Sequence, residues 1–171
     1  KITTVPIDVH LMVNHPEDII PMCLEAGADI ISFHPETANN KIFRLLNQIK
    51  DAGKQCGVVL NPATPAESIA EYAHLLDKVT VMSVDPGYAG QKFIPESLNK
   101  IRKLISMRKN NGYHYLTEID GSCNAKTFGQ IAESGVDVFI VGTSGLFSLH
   151  EDVSQAWDRM IEIFQRETVA A

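Results

Sequence analysis

Twice in this sequence a glycine closes a helix just ahead of a buried apolar strand. Glu25-Ala26-Gly27-Ala28-Asp29-Ile30-Ile31 is echoed by Glu133-Ser134-Gly135-Val136-Asp137-Val138-Phe139. The echo belongs to a wider alternation of short apolar strands and longer amphipathic helices. Strands are expected near Ile7 to Met12, Asp29 to His34, Gln55 to Leu60, Val79 to Val84, Tyr115 to Ile119 and Val138 to Val141. Pro16 suits a first helical position, Gly27 and Gly53 suit helix ends, and a helix with the apolar face Leu98, Ile101, Leu104 and Ile105 begins near Pro95. Thr64-Pro65-Ala66-Glu67 and Ser148-Leu149-His150-Glu151 read as capping boxes, so that a helix follows every strand.

Strict alternation of strand, helix and parallel strand leaves two main architectures, a doubly wound open sheet and a (β/α)₈ TIM barrel. An open sheet gathers its ligand at one switch point, whereas in a barrel the C-terminal ends of many strands face one centre. Polar residues end nearly every expected strand here: His10, His34 with Glu36, Asn61, Asp85, Asp120, and Thr143 with Ser144. This favours the barrel. Six units do not close such a barrel, because closure ties strand number to tilt and shear. The expectation is therefore a single domain over residues 1–171, the C-terminal six βα units of a (β/α)₈ barrel whose first two units are missing from this chain, which starts at Lys1.

Composition removes several function classes. Hydrophobic residues make up 44% and charged residues 21% of the 171, values of an ordinary globular domain. A net charge of -6 with no basic run argues against nucleic acid as a partner. The longest apolar runs, such as Val138 to Val141, are far shorter than the roughly 20 residues that span a bilayer, and nothing resembles a signal peptide. Cys23, Cys56 and Cys123 lack metal-finger or redox spacing and read as reduced thiols of a cytoplasmic protein. Lys100, Arg102, Lys103, Arg108 and Lys109 read as a solvated helix face, and Trp157 as the anchor of the last helix against the barrel.

The period of two along a strand tells which side chains share a face. His10 goes with Met12, Glu118 with Asp120, and Ser32 with His34 and Glu36. With Asp120 in the barrel mouth, Glu118 lies one layer deeper. A His and an Asp from different strands are metal-ligand types, although two ligands make half a site. Gly121-Ser122 and Gly142-Thr143-Ser144-Gly145 follow the last two strands, where backbone N–H groups and hydroxyls of a barrel commonly hold phosphate. Asp85-Pro86-Gly87-Tyr88-Ala89-Gly90-Gln91 is a third glycine-bearing loop at the same rim, a lid or a long turn.

These segments carry a resemblance. Asp8-Val9-His10-Leu11-Met12-Val13, Phe33-His34-Pro35-Glu36, Val81-Met82-Ser83-Val84-Asp85-Pro86-Gly87 with Gly90-Gln91-Lys92-Phe93, Asp120-Gly121-Ser122 and Val141-Gly142-Thr143-Ser144 are similar to the ribulose-phosphate 3-epimerase family, in order and over nearly the whole chain. Ile119-Asp120-Gly121-Ser122-Cys123-Asn124, Phe139 to Phe147 and His34-Pro35-Glu36-Thr37 resemble its D-allulose-6-phosphate 3-epimerase branch most. Ribulose-phosphate enzymes usually carry a second glycine where Ser122 stands.

The resemblance implies metal-dependent 3-epimerisation of a ketose phosphate, D-allulose 6-phosphate to D-fructose 6-phosphate, by proton transfer through a cis-enediolate; ribulose 5-phosphate is the alternative substrate. It makes Asp120 an acid/base and a metal ligand, and His10 a ligand, for one divalent ion (Zn, Mg, Mn, Co or Fe). His10, Met12, His34, Met82, Gly87 and Gly90 would line the substrate, and Gly121, Ser122, Gly142, Thr143 and Ser144 would hold its phosphate. Core packing is the other reading of both methionines. A homo-oligomer is expected, with no membrane partner. One departure matters: the family's second-strand His-x-Asp segment is absent, so this chain alone is expected to be inactive, as a sugar-phosphate-binding barrel fragment would be. A decarboxylase-like barrel would need a strand ending in Asp-x-Lys, which none does.

Overall fold

The computed structural model describes residues 3–88 and 90–169. Lys1 and Ala89 of the third glycine-bearing loop lie outside the described residues. Six parallel strands, β1 (Asp8–Leu11), β2 (Ile30–Phe33), β3 (Gln55–Leu60), β4 (Lys78–Met82), β5 (Leu116–Asp120) and β6 (Val138–Phe139), pair in sequence order without a switch point. That order is the singly wound one of a (β/α)₈ barrel, and it decides against the doubly wound sheet. The helices are α1 (Pro16–Ala26), α2 (Ile42–Asp51), α3 (Glu96–Asn111), α4 (Phe128–Ala132) and α5 (Val153–Val169).

Alternation along the strands makes two interiors. Ile31, Phe33, Val58, Leu60, Val79, Val81 and Ile119 point to the helix side and join the main core. The other face carries Ser32, Gly57, Val59, Thr80, Met82 and Glu118, where Val59, Met82 and Val84 form a separate small apolar cluster. This inner face is unusually polar. Lys78 Nζ donates to Glu118 Oε1 at 2.8 Å and to Asp8, and Thr80 Oγ1 donates to the same Glu118 oxygen at 2.7 Å. Glu118 lies one layer beneath Asp120 as its spacing predicts; its lysine partner was not apparent from the sequence pattern.

The two echoed segments share a fastening. Asp29 N–H donates to Ile7 O at 2.8 Å while its carboxylate accepts from Ile7 N–H at 2.9 Å. Asp137 does the same with Thr117, and Asp77 with Cys56. Each aspartate is then paired with a cation: Lys54 with Asp29, Lys50 with Asp77, and Arg108 with Asp137. All three clamps sit where the strands begin, and charged acceptors make their hydrogen bonds the stronger kind.

Several expectations need correction. β3 has the expected bounds and β5 is shifted by one residue, whereas β1, β2 and β6 are shorter than the apolar runs and β4 runs from Lys78 to Met82. Pro16 does open α1 and Gly27 closes it in the left-handed conformation, but no α-helix follows β3. Thr64-Pro65-Ala66-Glu67 leads instead into two 3₁₀ turns, Ala66–Ile69 and Ala73–Leu75. Buried Ala66, Ile69 and Tyr72, then Ala73 and Leu76, recur every three residues, the 3₁₀ period. The second capping box is also displaced: α5 starts after Asp152, whose side chain accepts from Gln155 N–H at 3.0 Å. Trp157 is half exposed instead of buried as an anchor, because α5 turns Ala156 and Met160 inward. Lys100 is buried rather than solvated: it donates to the carbonyls of Asn61 at 2.5 Å and Pro62 at 3.0 Å, and so fixes the chain leaving β3. Burial lowers its pKa.

Candidate active site

The C-terminal strand ends open on a hollow of about 520 Å³. Met12, Met82, Asp120, Gly121, Ser122, Gly142, Thr143 and Ser144 line it, as do Gly87 and Gly90 of the third loop. Register explains the meeting of Met82 and Asp120, which are paired residues of β4 and β5. Met82 is buried in the inner cluster, whereas Met12 is 61% exposed and does no core packing. Sequence reasoning missed Val84, Tyr88, Gln91 and Ile140 on this wall. Gln91 fixes the third loop by donating to Tyr88 O at 3.0 Å and Asp85 O, and its own carbonyl accepts from Ser122 Oγ at 2.5 Å.

The two loops expected to hold phosphate are built against each other. Gly121 turns at φ +117°, and a Cβ there would meet Val84 at 2.8 Å and Ser83 at 2.9 Å. Gly145 is more demanding, since a Cβ would stand 2.1 Å from the Cys123 carbonyl oxygen. Only a bare α-carbon lets the helical turn Thr143–Phe147 rest on the Gly121–Asn124 loop. Asn124 Nδ2 donates to Ser122 O at 3.0 Å and reaches Ser144 Oγ at 3.4 Å, tying the hydroxyl of one loop to the other. Cys123 lies beneath, its thiol pushed up to about 12 by burial and by Asp120, and so inert.

His10 lines neither hollow of this rim. Its Nδ1 is 3.8 Å from Asp120 Oδ2, and its Nε2 is 2.9 Å from His34 Nε2. Two donors on one ion with bonds near 2.1 Å stand roughly 3–4 Å apart. His10 and Asp120 therefore fit two positions of a metal shell. Among the described residues no group of three or more His, Cys, Asp or Glu is placed to hold a metal ion. His34 is buried, and burial together with the neighbouring His10 lowers its pKa, against a smaller opposing pull from Glu36. Its Nδ1 lies 3.8 Å from Glu36 Oε1, an oxygen that also accepts from Asn61 Nδ2. These groups line a second hollow of about 290 Å³.

The family model described as "Ribulose-phosphate 3 epimerase family" matches residues 1–147. The chain belongs to the ribulose-phosphate 3-epimerase family. It is 44% identical over 144 residues to a ribulose-phosphate 3-epimerase of Buchnera aphidicola, covering 84% of this chain and 62% of that protein. It is 42% identical over 141 residues to one of Escherichia coli K12, covering 82% and 62%. The chain thus spans less than two thirds of the length of these relatives. Among solved structures, the tryptophan synthase alpha-subunit of Pyrococcus furiosus superimposes with a TM-score of 0.66 at 15% identity, covering 99% of this chain and 69% of that one. A 3-hexulose-6-phosphate synthase gives 0.61 at 14% identity, covering 89% and 68%. These likenesses concern the fold. No helix among the described residues is long and apolar enough to cross a membrane.

Proposed function

We propose that the protein is an isomerase that inverts C3 of a ketose phosphate by proton transfer through a cis-enediolate. The observation that carries this reading is Asp120, on the wall of the larger hollow between Met82 and the Gly121-Ser122 and Gly142–Ser144 loops. A phosphate at those loops would take backbone N–H and hydroxyl donors. It would leave the carbon next to the ketone beside Asp120, whose carboxylate removes the C3 proton as general base. The thioethers of Met12 and Met82 face the same space without competing for the proton. His10 and Asp120 would hold a divalent ion, which when bound would supply electrophilic stabilisation to the oxygens that gain charge. The family resemblance puts the acid/base of the opposite face on a His-x-Asp segment that this sequence does not contain.

Our first substrate is D-allulose 6-phosphate, on the strength of Ser122 and the Gly142-Thr143-Ser144 turn. Ribulose 5-phosphate is supported at least as well by the relatives, which carry that enzyme's name. A cytoplasmic enzyme accords with the free thiols Cys23, Cys56 and Cys123, and a homo-oligomer is part of the same proposal. The test is solvent-deuterium incorporation at C3 of each ketose phosphate by the full-length protein. Faster exchange of one names the substrate, and Asp120→Asn should abolish it. Exchange of neither leaves a non-catalytic sugar-phosphate-binding protein.

A further inference from the structure

The smaller hollow meets the larger one at Met12 and Pro86. Its other walls come from the ends of β1, β2 and β3, whereas the Gly121-Ser122 and Gly142–Ser144 loops follow β5 and β6. Asp120 lines the larger hollow and its neighbour His10 touches His34 of the smaller one, so the two regions are joined through the His10 and Asp120 pair. A linear ketose phosphate with its phosphate on the β5 and β6 side and C3 beside Asp120 sends its unphosphorylated end across Met12. We infer that the smaller hollow seats the C1 hydroxymethyl group of the substrate, and that His34, Glu36 and Asn61 recognise its hydroxyl. This inference rests on the proposed epimerase activity.

The chemistry of the walls selects a hydroxyl. His34 Nδ1 and Asn61 Oδ1 are buried polar atoms without a hydrogen-bond partner, in residues that both line the hollow. Glu36 Oε1 stands 3.8 Å from His34 Nδ1. That is too long for a hydrogen bond, and it leaves room for one oxygen about 2.8 Å from each group. A hydroxyl donates and accepts at once, so it gives its single proton to Glu36 Oε1 or Asn61 Oδ1 while its oxygen accepts from His34 Nδ1–H, the tautomer in which Nε2 accepts from His10. An anion would be repelled by Glu36, and an apolar group would leave the two buried atoms unpaired.

The walls are also fixed in advance. Lys100 holds the Asn61 and Pro62 carbonyls from beneath. Thr37 Oγ1 donates to His34 O at 2.7 Å and closes the turn after β2, and Asn61 Nδ2 donates to Glu36. Positions held in this way lose little freedom when a ligand arrives. The contact of His34 with His10 puts the hydroxyl seat one residue away from the His10 and Asp120 pair.

The test compares C3 exchange of the preferred ketose phosphate with that of its 1-deoxy analogue, which keeps the ketone, C3 and the phosphate. With the full-length protein, kcat/KM should favour the hydroxylated ketose by about tenfold or more, as expected for a hydroxyl read by neutral and charged partners. In Asn61→Ala and Glu36→Gln this ratio should fall towards one. A wild-type ratio near one overturns the inference without any variant, and so does a ratio unchanged in both variants. Absence of exchange from either substrate overturns the epimerase reading and this assignment with it, whereas exchange at a ratio of one overturns the assignment alone.

Discussion

Replacing Lys78 by methionine should be among the most destabilising single changes on the inner face of the sheet. The Lys78 and Glu118 side chains are 7% and 5% exposed, and Lys78 Nζ is 2.8 Å from Glu118 Oε1. Methionine fills the space of the lysine stem and removes only the charge. Glu118 is then a buried carboxylate that keeps the Thr80 Oγ1 donor at 2.7 Å but has lost its countercharge. Breaking a buried pair from one side costs about 3–5 kcal/mol, because the partner's charge is stranded. The reverse change, Glu118→Met, should cost less, since Lys78 keeps Asp8, whose side chain is 31% exposed and partly hydrated. In Lys78→Met/Glu118→Met both charges are gone. The remaining losses are the unpaired Thr80 hydroxyl, about 1 kcal/mol, and the ion pair of the partly hydrated Asp8, which Lys78→Met loses as well, so the double variant should be more stable than Lys78→Met alone. Urea unfolding of all four proteins at an unchanged m value measures this directly. Additive losses, with the double variant least stable of all, would refute the reasoning, since a stranded charge requires coupling of the two sites.

Gly145→Ala should displace the Thr143–Phe147 turn, because the new methyl collides with the Cys123 carbonyl, a backbone atom that has nowhere to move. A stability loss of about 1–3 kcal/mol is expected, and inorganic phosphate binding measured by calorimetry should weaken with it. Asp137→Ala removes the acceptor shared by Thr117 N–H, Thr117 Oγ1 and Arg108, and should cost about 1–3 kcal/mol in denaturant titrations, at the low end because the site is partly solvated. Burial raises the Asp137 pKa, but Arg108 and Thr117 together hold it below the usual carboxylate range. The contribution of this clamp is therefore complete above the ordinary aspartate value and is lost as pH falls through the lowered folded value; in Asp137→Asn that part of the acid slope should disappear. Cys56 is pushed up to about 11 and Cys123 to about 12, chiefly by burial. Thiol titration of the native protein near pH 8 should therefore modify Cys23 well before the other two, and a fast reaction at Cys123 would contradict its burial.

The alternation of units was legible because glycines and prolines punctuate it: Pro16 and Gly27 bound α1 where their backbone preferences require. The crossing after β3 was not, because Thr64-Pro65-Ala66-Glu67 has the letters of a helix start while the buried residues behind it follow a three-residue period. Lys100 was misread because lysines are mostly exposed, and the partners that allow this one to be buried are remote in sequence. Its ammonium is matched by two carbonyls from a segment 39 and 38 residues away. Trp157 was misread because size was taken for burial, when α5 faces inward one residue earlier. At the site, the period of two put His10 on one face with Met12 and Asp120 on one face with Glu118, while the hydroxyl loops were read from their place after the last two strands; all of them sit on or just after strand ends. Glu36 and Asn61 were seen as strand-end polar residues, but their sharing of one hollow depends on the 3₁₀ turn Pro35–Thr37 and on Lys100, and neither is written in a local pattern.

The aspartate clamps have a consequence for how such a chain can change. Asp29, Asp77 and Asp137 fasten β1 to β2, β3 to β4 and β5 to β6 at the end where the strands begin, and every residue of both hollows lies at the other end. Loops at the mouth can be lengthened, shortened or rewritten without loosening a single clamp. A lineage built this way is free to exchange one substrate for another while its framework is inherited intact.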